Sequence, residues 1–391
     1  MDTGPDELTG PAPVGMVNVA TAFAAQVPAW GRRLVATLLI ALVATALLAA
    51  VAGGLIRAGV ALGMSPTVLL GQATLFHAAL MLSGFLGTVI GVERAVALKW
   101  PAAFGAPIAS GLASALLLAG LTTLAAAALE FAALLFVAVN VRIVRRQPAA
   151  HTALLLFAAL AWLIGNTLFL VGSRDLPAMT WWFGFVVATI AAERLEMTRL
   201  MPRHAAAQPL LFGLLALGAL GAILTATAWL VTGGVLFGFA LTGLALWFGA
   251  FDIARRTLFT QGLSRYMAVC LLSGYAWLAV AGVAWIAMAL GYPTRDVALH
   301  ALGLGFIISM VMGHALVILP AVTGIKVDFN NAFYVPLLLL HASLIVRLAL
   351  SSRHAAGAAL NAAALALFAV TMLVSALRRR ARQSPRPSGS P

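Results

Sequence analysis

The chain has 391 residues, of which 63% are hydrophobic and only 9% are charged, and its mean hydropathy is +1.04. Soluble globular domains carry about a quarter charged residues, so this composition excludes an ordinary soluble protein. The formal net charge of +13 does not indicate nucleic-acid binding, because most Lys and Arg residues lie in short gaps between apolar runs, as in membrane proteins. The single cysteine, Cys270, excludes an internal disulfide framework and a Cys-rich metal or iron–sulfur site.

Apolar segments of about 20 residues, long enough to cross a bilayer, follow one another along the chain. The pattern predicts an all-α integral membrane protein with about twelve transmembrane helices in contact with the lipid bilayer. The predicted helices lie near residues 35–56, 66–92, 104–123, 124–144, 151–172, 178–198, 208–230, 233–253, 265–290, 296–320, 331–351 and 355–377.

The predicted transmembrane domain covers residues 31–378, between a disordered polar tail at 1–30 and a basic disordered tail at 379–391. Basic connections such as "RIVRRQ" and "DIARR" alternate with sparsely charged ones. The positive-inside rule therefore predicts that both termini are cytoplasmic. The bias towards Ala, Leu, Gly and Arg indicates a GC-rich bacterium, so the predicted location is the bacterial cytoplasmic (inner) membrane.

An internal repeat relates the second, sixth and tenth predicted helices. They contain "GFLGTVIGVER", "GFVVATIAAER" and "GFIISMVMGHA". In each helix the same spacing separates the Gly-Phe pair from a polar residue, which is Glu93, Glu193 or His314. This period predicts three four-helix repeats, at about 31–146, 147–258 and 259–378, rather than two six-helix halves.

Three arcs of four helices resemble the catalytic subunit of the haem–copper oxidases. In that family a histidine on helix 2 and another on helix 10 bind a low-spin haem, and the resemblance implies this role for His77 and His300. The repeat places the two histidines at depths that differ by about 3 Å, as axial ligation of one haem b requires. Interhelical hydrogen bonding is the alternative interpretation. The further histidines of the oxygen-reducing site are missing, which argues against such an oxidase.

Two segments, "HAALMLSGFLGTVIGVERAVAL" in helix 2 and "HALGLGFIISMVMGHALVILPAVTG" in helix 10, resemble the NnrS family. These bacterial membrane proteins contain haem and copper and take part in nitric oxide metabolism. The resemblance implies haem binding in a nitric oxide response or detoxification, with nitric oxide and a membrane or periplasmic electron donor as partners. It supplies no reaction, so enzymatic activity stays open; an enzyme of this kind would be a haem-dependent oxidoreductase acting on nitric oxide or a related small molecule.

Four further residues inside the predicted helices have more than one interpretation. His341 is a candidate ligand, a partner of a ligand or an interhelical hydrogen-bonding residue. Met310 lies four residues before His314 on the same helix face, and a thioether with an imidazole suits copper. Glu130 marks either a proton pathway or a hydrogen bond to a neighbouring helix.

A buried polar cluster is predicted where the three repeats converge near their cytoplasmic ends. Its members are Glu93, Arg94, Glu193, Arg194 and His314, and Glu130 is assigned to the same set of intramembrane polar residues. A proton-coupled small-molecule transporter that uses this cluster together with Glu130 is the competing hypothesis. The four-helix period argues against it, because many transporters are built from inverted repeats of another length.

The remaining polar and aromatic residues are assigned by their position at helix ends. Three arginines at outer helix ends are either interfacial or partners of haem propionates, namely Arg57, Arg295 and Arg347. Three histidines beside loops are predicted to be solvated, namely His151, His204 and His354. Trp181 and Trp182 are predicted to belong to an outer aromatic belt.

Overall fold

A computed structural model of the protein describes residues 29–63, 65, 67–98, 100–173, 175–198, 204–350 and 354–383. Within these ranges, twelve helices are long and apolar enough to cross a membrane. This confirms the all-α class and the predicted number of spans, and it indicates a multi-pass membrane protein. Of the predicted N-terminal tail at 1–30, residues 1–28 lie outside the described residues, as do the C-terminal residues 384–391. Residues 29 and 30 of that tail are helical, because the first helix already begins at Ala29.

The membrane-spanning helices are numbered α1 to α12. The first six are α1 (Ala29–Arg57), α2 (His77–Leu98), α3 (Gly105–Leu118), α4 (Thr122–Arg146), α5 (Ala150–Leu170) and α6 (Leu176–Met197). The second six are α7 (Ala207–Thr225), α8 (Leu230–Phe251), α9 (Gly262–Ala289), α10 (Arg295–Pro320), α11 (Tyr334–Ala349) and α12 (His354–Gln383). Shorter helices include Val68–Leu75 before α2 and Ala254–Thr257 after α8.

Helix α12 extends further than the sequence predicts. Residues 379–383, which were predicted to belong to the disordered tail, continue the helix to Gln383. The segment consists of strong helix formers and contains no Gly or Pro, and its Arg side chains suit the negative end of the helix dipole. The basic composition of this segment therefore marks a helix C-terminus.

Helices α2 and α6 are the most enclosed elements of the bundle. In the apolar window of each, 78% of the residues are buried, against 28% for α1, α7 and α12. Helix α2 packs against α1, α3, α6 and α10, and α10 also packs against α9 and α11. Polar residues on α2, α6 and α10 therefore meet in the interior instead of facing lipid.

Trp181 and Trp182 are buried, so their assignment to an outer aromatic belt is wrong. The Trp182 Nε1 donates a hydrogen bond to the Asn166 Oδ1 at 2.8 Å, and that oxygen also accepts one from the Ser83 Oγ at 2.8 Å. Both tryptophans lie on α6, whose position inside the bundle leaves them no access to the interface. The indole N–H of Trp182 therefore finds its partner on a neighbouring helix, as buried Trp usually does.

Candidate functional site

His77 and His300 occupy equivalent places in α2 and α10, each just before a stretch of π-helix. The π-helical segments are Leu80–Leu86 in α2 and Ala301–Ile308 in α10. Such wide turns are rare and are found frequently at functional sites. The sequence analysis missed both segments, because their apolar residues follow the same pattern as an ordinary α-helix.

The two imidazole rings face each other across the space between α2 and α10. Their centroids are 6.4 Å apart and their planes differ by 21°. Two imidazoles that bind one metal ion, each with a metal–nitrogen distance of about 2.0–2.1 Å, have centroids about 6 Å apart. The centroid separation of His77 and His300 therefore leaves room for one metal ion between the two rings.

The Nδ1 atom of each ring is held by an oxygen that can only accept a hydrogen bond. His77 Nδ1 lies 2.6 Å from the carbonyl oxygen of Ala50, and His300 Nδ1 lies 2.9 Å from the Asp296 Oδ1. Each Nδ1 is therefore the protonated donor, which leaves Nε2 with a lone pair for a ligand. Metal-binding histidines are commonly oriented in this way by a carbonyl or a carboxylate.

Asp296 is a site residue that the sequence analysis missed. Its carboxylate accepts hydrogen bonds from the Arg347 Nε at 3.0 Å and Nη2 at 2.8 Å, in addition to the one from His300. The available signal was the spacing, because Asp296 lies four residues before His300 and shares its helix face. Arg347, Asp296 and His300 form a continuous polar chain behind one ring.

A cavity of about 620 Å³ adjoins both histidines. This volume is within the range of about 300–1,000 Å³ that is typical of small-molecule and cofactor sites. Its apolar wall includes Phe76, Phe169, Met179, Trp182 and Leu299. The combination of an apolar wall with two convergent imidazoles suits a large, flat, mostly apolar group.

All three predicted arginine partners, Arg57, Arg295 and Arg347, line this cavity. The Arg347 guanidinium donates both of its hydrogen bonds described above to Asp296, and the residue is buried. Arg295 pairs with Asp175, and the exposed Arg57 Nη1 makes, within the described part of the chain, a long contact of 3.5 Å with the backbone carbonyl of Thr74. Arg57 and Arg295 are therefore the cations placed to meet an anionic group at the cavity edge.

The three histidines that were predicted to be solvated have different surroundings. His354 lines the cavity, with its Nδ1 3.7 Å from the Asp296 Oδ2. His151 is buried, with its Nε2 3.9 Å from the Glu196 Oε1. Only His204 is exposed as predicted. The prediction for His151 is wrong because helix packing covers the first turn of α5, whereas the His354 side chain is 36% exposed.

His341 lies apart from the facing pair. Its Nδ1 accepts a hydrogen bond of 3.0 Å from the Trp277 Nε1, and the two rings are stacked with centroids 6.5 Å apart. His341 is not among the residues that line the cavity. Its contacts match the interhelical hydrogen bond between α9 and α11, one of its three interpretations, and do not suit a ligand.

The polar residues near the other end of α2, α6 and α10 form one cluster. The Arg94 Nη2 lies 2.6 Å from the Glu193 Oε1 and 3.0 Å from the Glu93 Oε1. The Arg194 Nη2 lies 2.6 Å from the His314 Nε2. These contacts form two groups, Glu93–Arg94–Glu193 and Arg194–His314, and in each group an Arg supplies donors to a residue on another helix. An electrostatic interaction between Glu93 and His314 relates the two groups.

The residues around His314 do not fit a copper site. Its Nδ1 donates to the carbonyl oxygen of Met310 at 2.7 Å, and its Nε2 accepts from Arg194, so neither ring nitrogen is available. The Met310 methyl group packs against Gly274 of α9. Among the described residues, no group of three or more His, Cys, Asp or Glu side chains is placed to hold a metal ion.

Glu130 is only partly buried, on the side of α4 that faces α5. Its Oε1 accepts a hydrogen bond of 3.0 Å from the Thr167 Oγ1. The contact matches the second of its two interpretations, a hydrogen bond to a neighbouring helix.

Comparison with known proteins places the chain in a family. No curated protein and no solved structure matches it. One family model, described as Domain of unknown function (DUF8744), matches residues 33–377. This match extends from the beginning of α1 almost to the end of α12 and includes every site residue discussed above. The chain therefore belongs to the DUF8744 family.

Proposed function

We propose that this protein binds a low-spin haem b in the membrane, with His77 and His300 as the axial ligands. The observation that carries the proposal is the facing pair of imidazoles, whose Nε2 atoms are available while each Nδ1 is fixed from behind. The adjoining cavity and the cations at its edge support the same group. Two histidine ligands, an apolar wall and Arg partners for propionates are the features of such a site.

The residues of the site have distinct roles in this proposal. Ala50 and Asp296 hold the two ligand tautomers, and Arg347 fixes Asp296. Arg57 and Arg295 bind the propionates. Phe76, Phe169 and the other apolar residues of the wall exclude water. When bound, a haem supplies one-electron redox chemistry.

The proposed role is in a nitric oxide response or detoxification, and the support for it is the resemblance of α2 and α10 to the NnrS family. If His77 and His300 both held the iron, binding of a diatomic molecule to it would require displacement of one of them. Electron transfer to or from a membrane or periplasmic partner would have no such requirement.

The proposed layout has three four-helix repeats and both termini in the cytoplasm of a bacterium, with the bundle in its inner membrane. The parallel between α2 and α10 supports the repeat, since each has a histidine followed by π-helix. The meeting of Glu93, Glu193 and His314 in one cluster supports it further. The basic helix ends of α4 and α12 support the orientation.

The alternative function is a proton-coupled small-molecule transporter that uses the Glu/Arg/His cluster. The partly buried carboxylates Glu93 and Glu193 favour it, because ionisable groups inside a membrane mark functional sites by default. Against it, Arg94 and Arg194 already pair with the other members of the cluster.

An optical spectrum of the detergent-purified protein, oxidised and then reduced with dithionite, tests the proposal. We expect a b-type spectrum that is lost in His77→Ala and in His300→Ala. His341→Ala is the matched control, because it also removes a part-buried membrane histidine but should keep the spectrum. A colourless wild-type protein, expressed with ample haem, would overturn the haem proposal and leave the transporter as the better account.

A further inference from the structure

A second cavity, of about 800 Å³, lies at the end of the bundle where α6 and α8 finish and α7 begins. Its wall includes the side chains of Arg255 and Arg256, which are both exposed. Trp247 and Phe251 add an aromatic surface. Arginine side chains at the end of a membrane helix lie at the depth of lipid headgroups, where they attract phosphate.

An apolar groove of about 460 Å³ continues from this cavity along α8 and α9. The groove shares Ala250 and Leu272 with the cavity, so the two spaces are contiguous. Leu246 on its rim is 69% exposed although it belongs to a membrane-spanning helix. The groove therefore faces the hydrocarbon region of the bilayer and has the polarity of an acyl chain.

Asp252 supplies a third and independent observation at the junction of cavity and groove. It is 5% exposed and lines the cavity, and its Oδ1 accepts a hydrogen bond of 2.7 Å from the backbone N–H of Ala254. The Tyr275 hydroxyl is its hydrogen-bonding neighbour, although the Asp252 Oδ2 has no partner within 3.5 Å among the described residues. A carboxylate has acceptor sites for several hydrogen bonds, so Asp252 can also accept one from a ligand in the cavity.

We propose that the cavity and the groove together bind one anionic glycerophospholipid of the phosphatidylglycerol type. Arg255 and Arg256 bind its phosphate, and Asp252 accepts a hydrogen bond from a headgroup hydroxyl. One acyl chain lies in the groove between α8 and α9. Arg255 and Arg256 favour a ligand with a phosphate, and the buried Asp252 carboxylate favours a headgroup that carries a hydrogen-bond donor. The apolar groove favours a lipid over a soluble phosphate.

Lipid retention, measured by native mass spectrometry on protein released from nanodiscs, tests this site without reference to haem. The discs contain either phosphatidylglycerol or phosphatidylcholine with identical acyl chains. We expect one retained phosphatidylglycerol per chain and about tenfold less phosphatidylcholine, whose headgroup has no hydrogen-bond donor. Equal retention of the two lipids would overturn the proposal. Displacement of the lipid by soluble glycerol phosphate would show a headgroup site alone and would also overturn it.

Two pairs of variants assign the bound lipid to this place. Arg255→Ala with Arg256→Ala should lower retention about tenfold or more, whereas the same change at Arg145 and Arg146 of α4, which removes equal charge, should not. A Cβ added at Gly249 meets no atom within 4 Å, so Gly249→Leu fills the groove without strain in the protein. It should also displace the lipid.

Gly213 of α7 is the matched control, because a Cβ there is equally unobstructed. Gly213→Leu should leave retention unchanged. Wild-type retention in both Gly249→Leu and the Arg255/Arg256 variant would overturn the site. A wild-type protein that retains the lipid but is colourless would leave this inference intact while removing the haem proposal, so the two failures are distinguishable.

Discussion

The imidazole rings of His77 and His300 are held 6.4 Å apart by groups that lie behind each ring, not by contact with each other. Ala50 holds the first ring and Asp296 the second. A site whose ligands are already oriented loses little free energy to reorganisation on binding. Changes in the groups behind either ring should therefore alter ligand binding by His77 and His300.

Gly54→Ala should reduce haem occupancy. A Cβ at position 54 would lie 2.8 Å from the His77 Cε1, so the imidazole has to move away from its present position. Substitution of a residue that orients a metal-binding side chain typically lowers the affinity for the metal about 10–100-fold. The ratio of haem to protein absorbance after purification measures the effect. Gly71→Ala, where a Cβ meets nothing within 4 Å, should retain full occupancy; equal losses in both variants would contradict the packing argument.

Asp296→Asn should raise the midpoint potential of the haem by on the order of 50 mV. The carboxylate accepts the Nδ1 proton of His300 and so makes the ring a stronger donor, which favours the oxidised iron. An amide removes this charge while keeping the shape. A spectroelectrochemical titration measures the potential. Asp328→Asn is the control, because Asp328 also pairs with an arginine, Arg379, away from the cavity. A similar shift of the midpoint potential in this variant would contradict the role assigned to Asp296.

Glu193→Gln should destabilise the protein by about 2–3 kcal/mol, because it leaves the buried Arg94 with Glu93 as its remaining carboxylate. Unfolding in detergent measures the loss. The matched change Glu196→Gln should cost little, since that side chain is 42% exposed. The reduced haem spectrum should be unaltered in both variants, and its loss in Glu193→Gln would show that the cluster and the histidine pair form a single site.

The free energy of unfolding of the protein should fall as the pH rises above the ordinary pKa range of an aspartate. Burial raises the pKa of the Asp252 carboxyl above the ordinary range of an aspartate, and the nearby Arg194, Tyr275 and His314 only partly oppose this. The folded state therefore binds more protons than the unfolded state between the ordinary and the raised pKa, so the free energy of unfolding decreases with pH across that window.

Melting temperatures in detergent across this pH window measure the effect. Asp252→Asn should flatten the dependence and should melt higher than the wild-type protein above the window. An identical pH profile in the two proteins would contradict the assignment of the effect to Asp252.

The sequence predicted that polar residues of α2, α6 and α10 lie near one another but did not reveal which groups they bind. The equal spacing from Gly-Phe to Glu93, Glu193 and His314 led to this prediction, because helices of equal pitch bring equally spaced residues to one level. The same reasoning assigned Met310 and His314 to copper, whereas Arg194 and a backbone carbonyl occupy the ring. Hydrogen-bond partners come from other helices, and spacing along one helix carries no information about them.

The sequence by itself determined the class of this protein: twelve apolar segments must become helices, since a lipid environment leaves every backbone N–H and C=O to be satisfied within its own segment. It also determined which residues are too polar for lipid and must turn inward. Only the tertiary structure decided which histidines face each other, that Asp296 supports one of them, and that Trp182 lies inside the bundle. Those outcomes depend on how helices distant in the chain are rotated and packed against one another. The π-helical turns after His77 and His300 change the direction in which later side chains point, and the pattern of apolar residues does not reveal these turns.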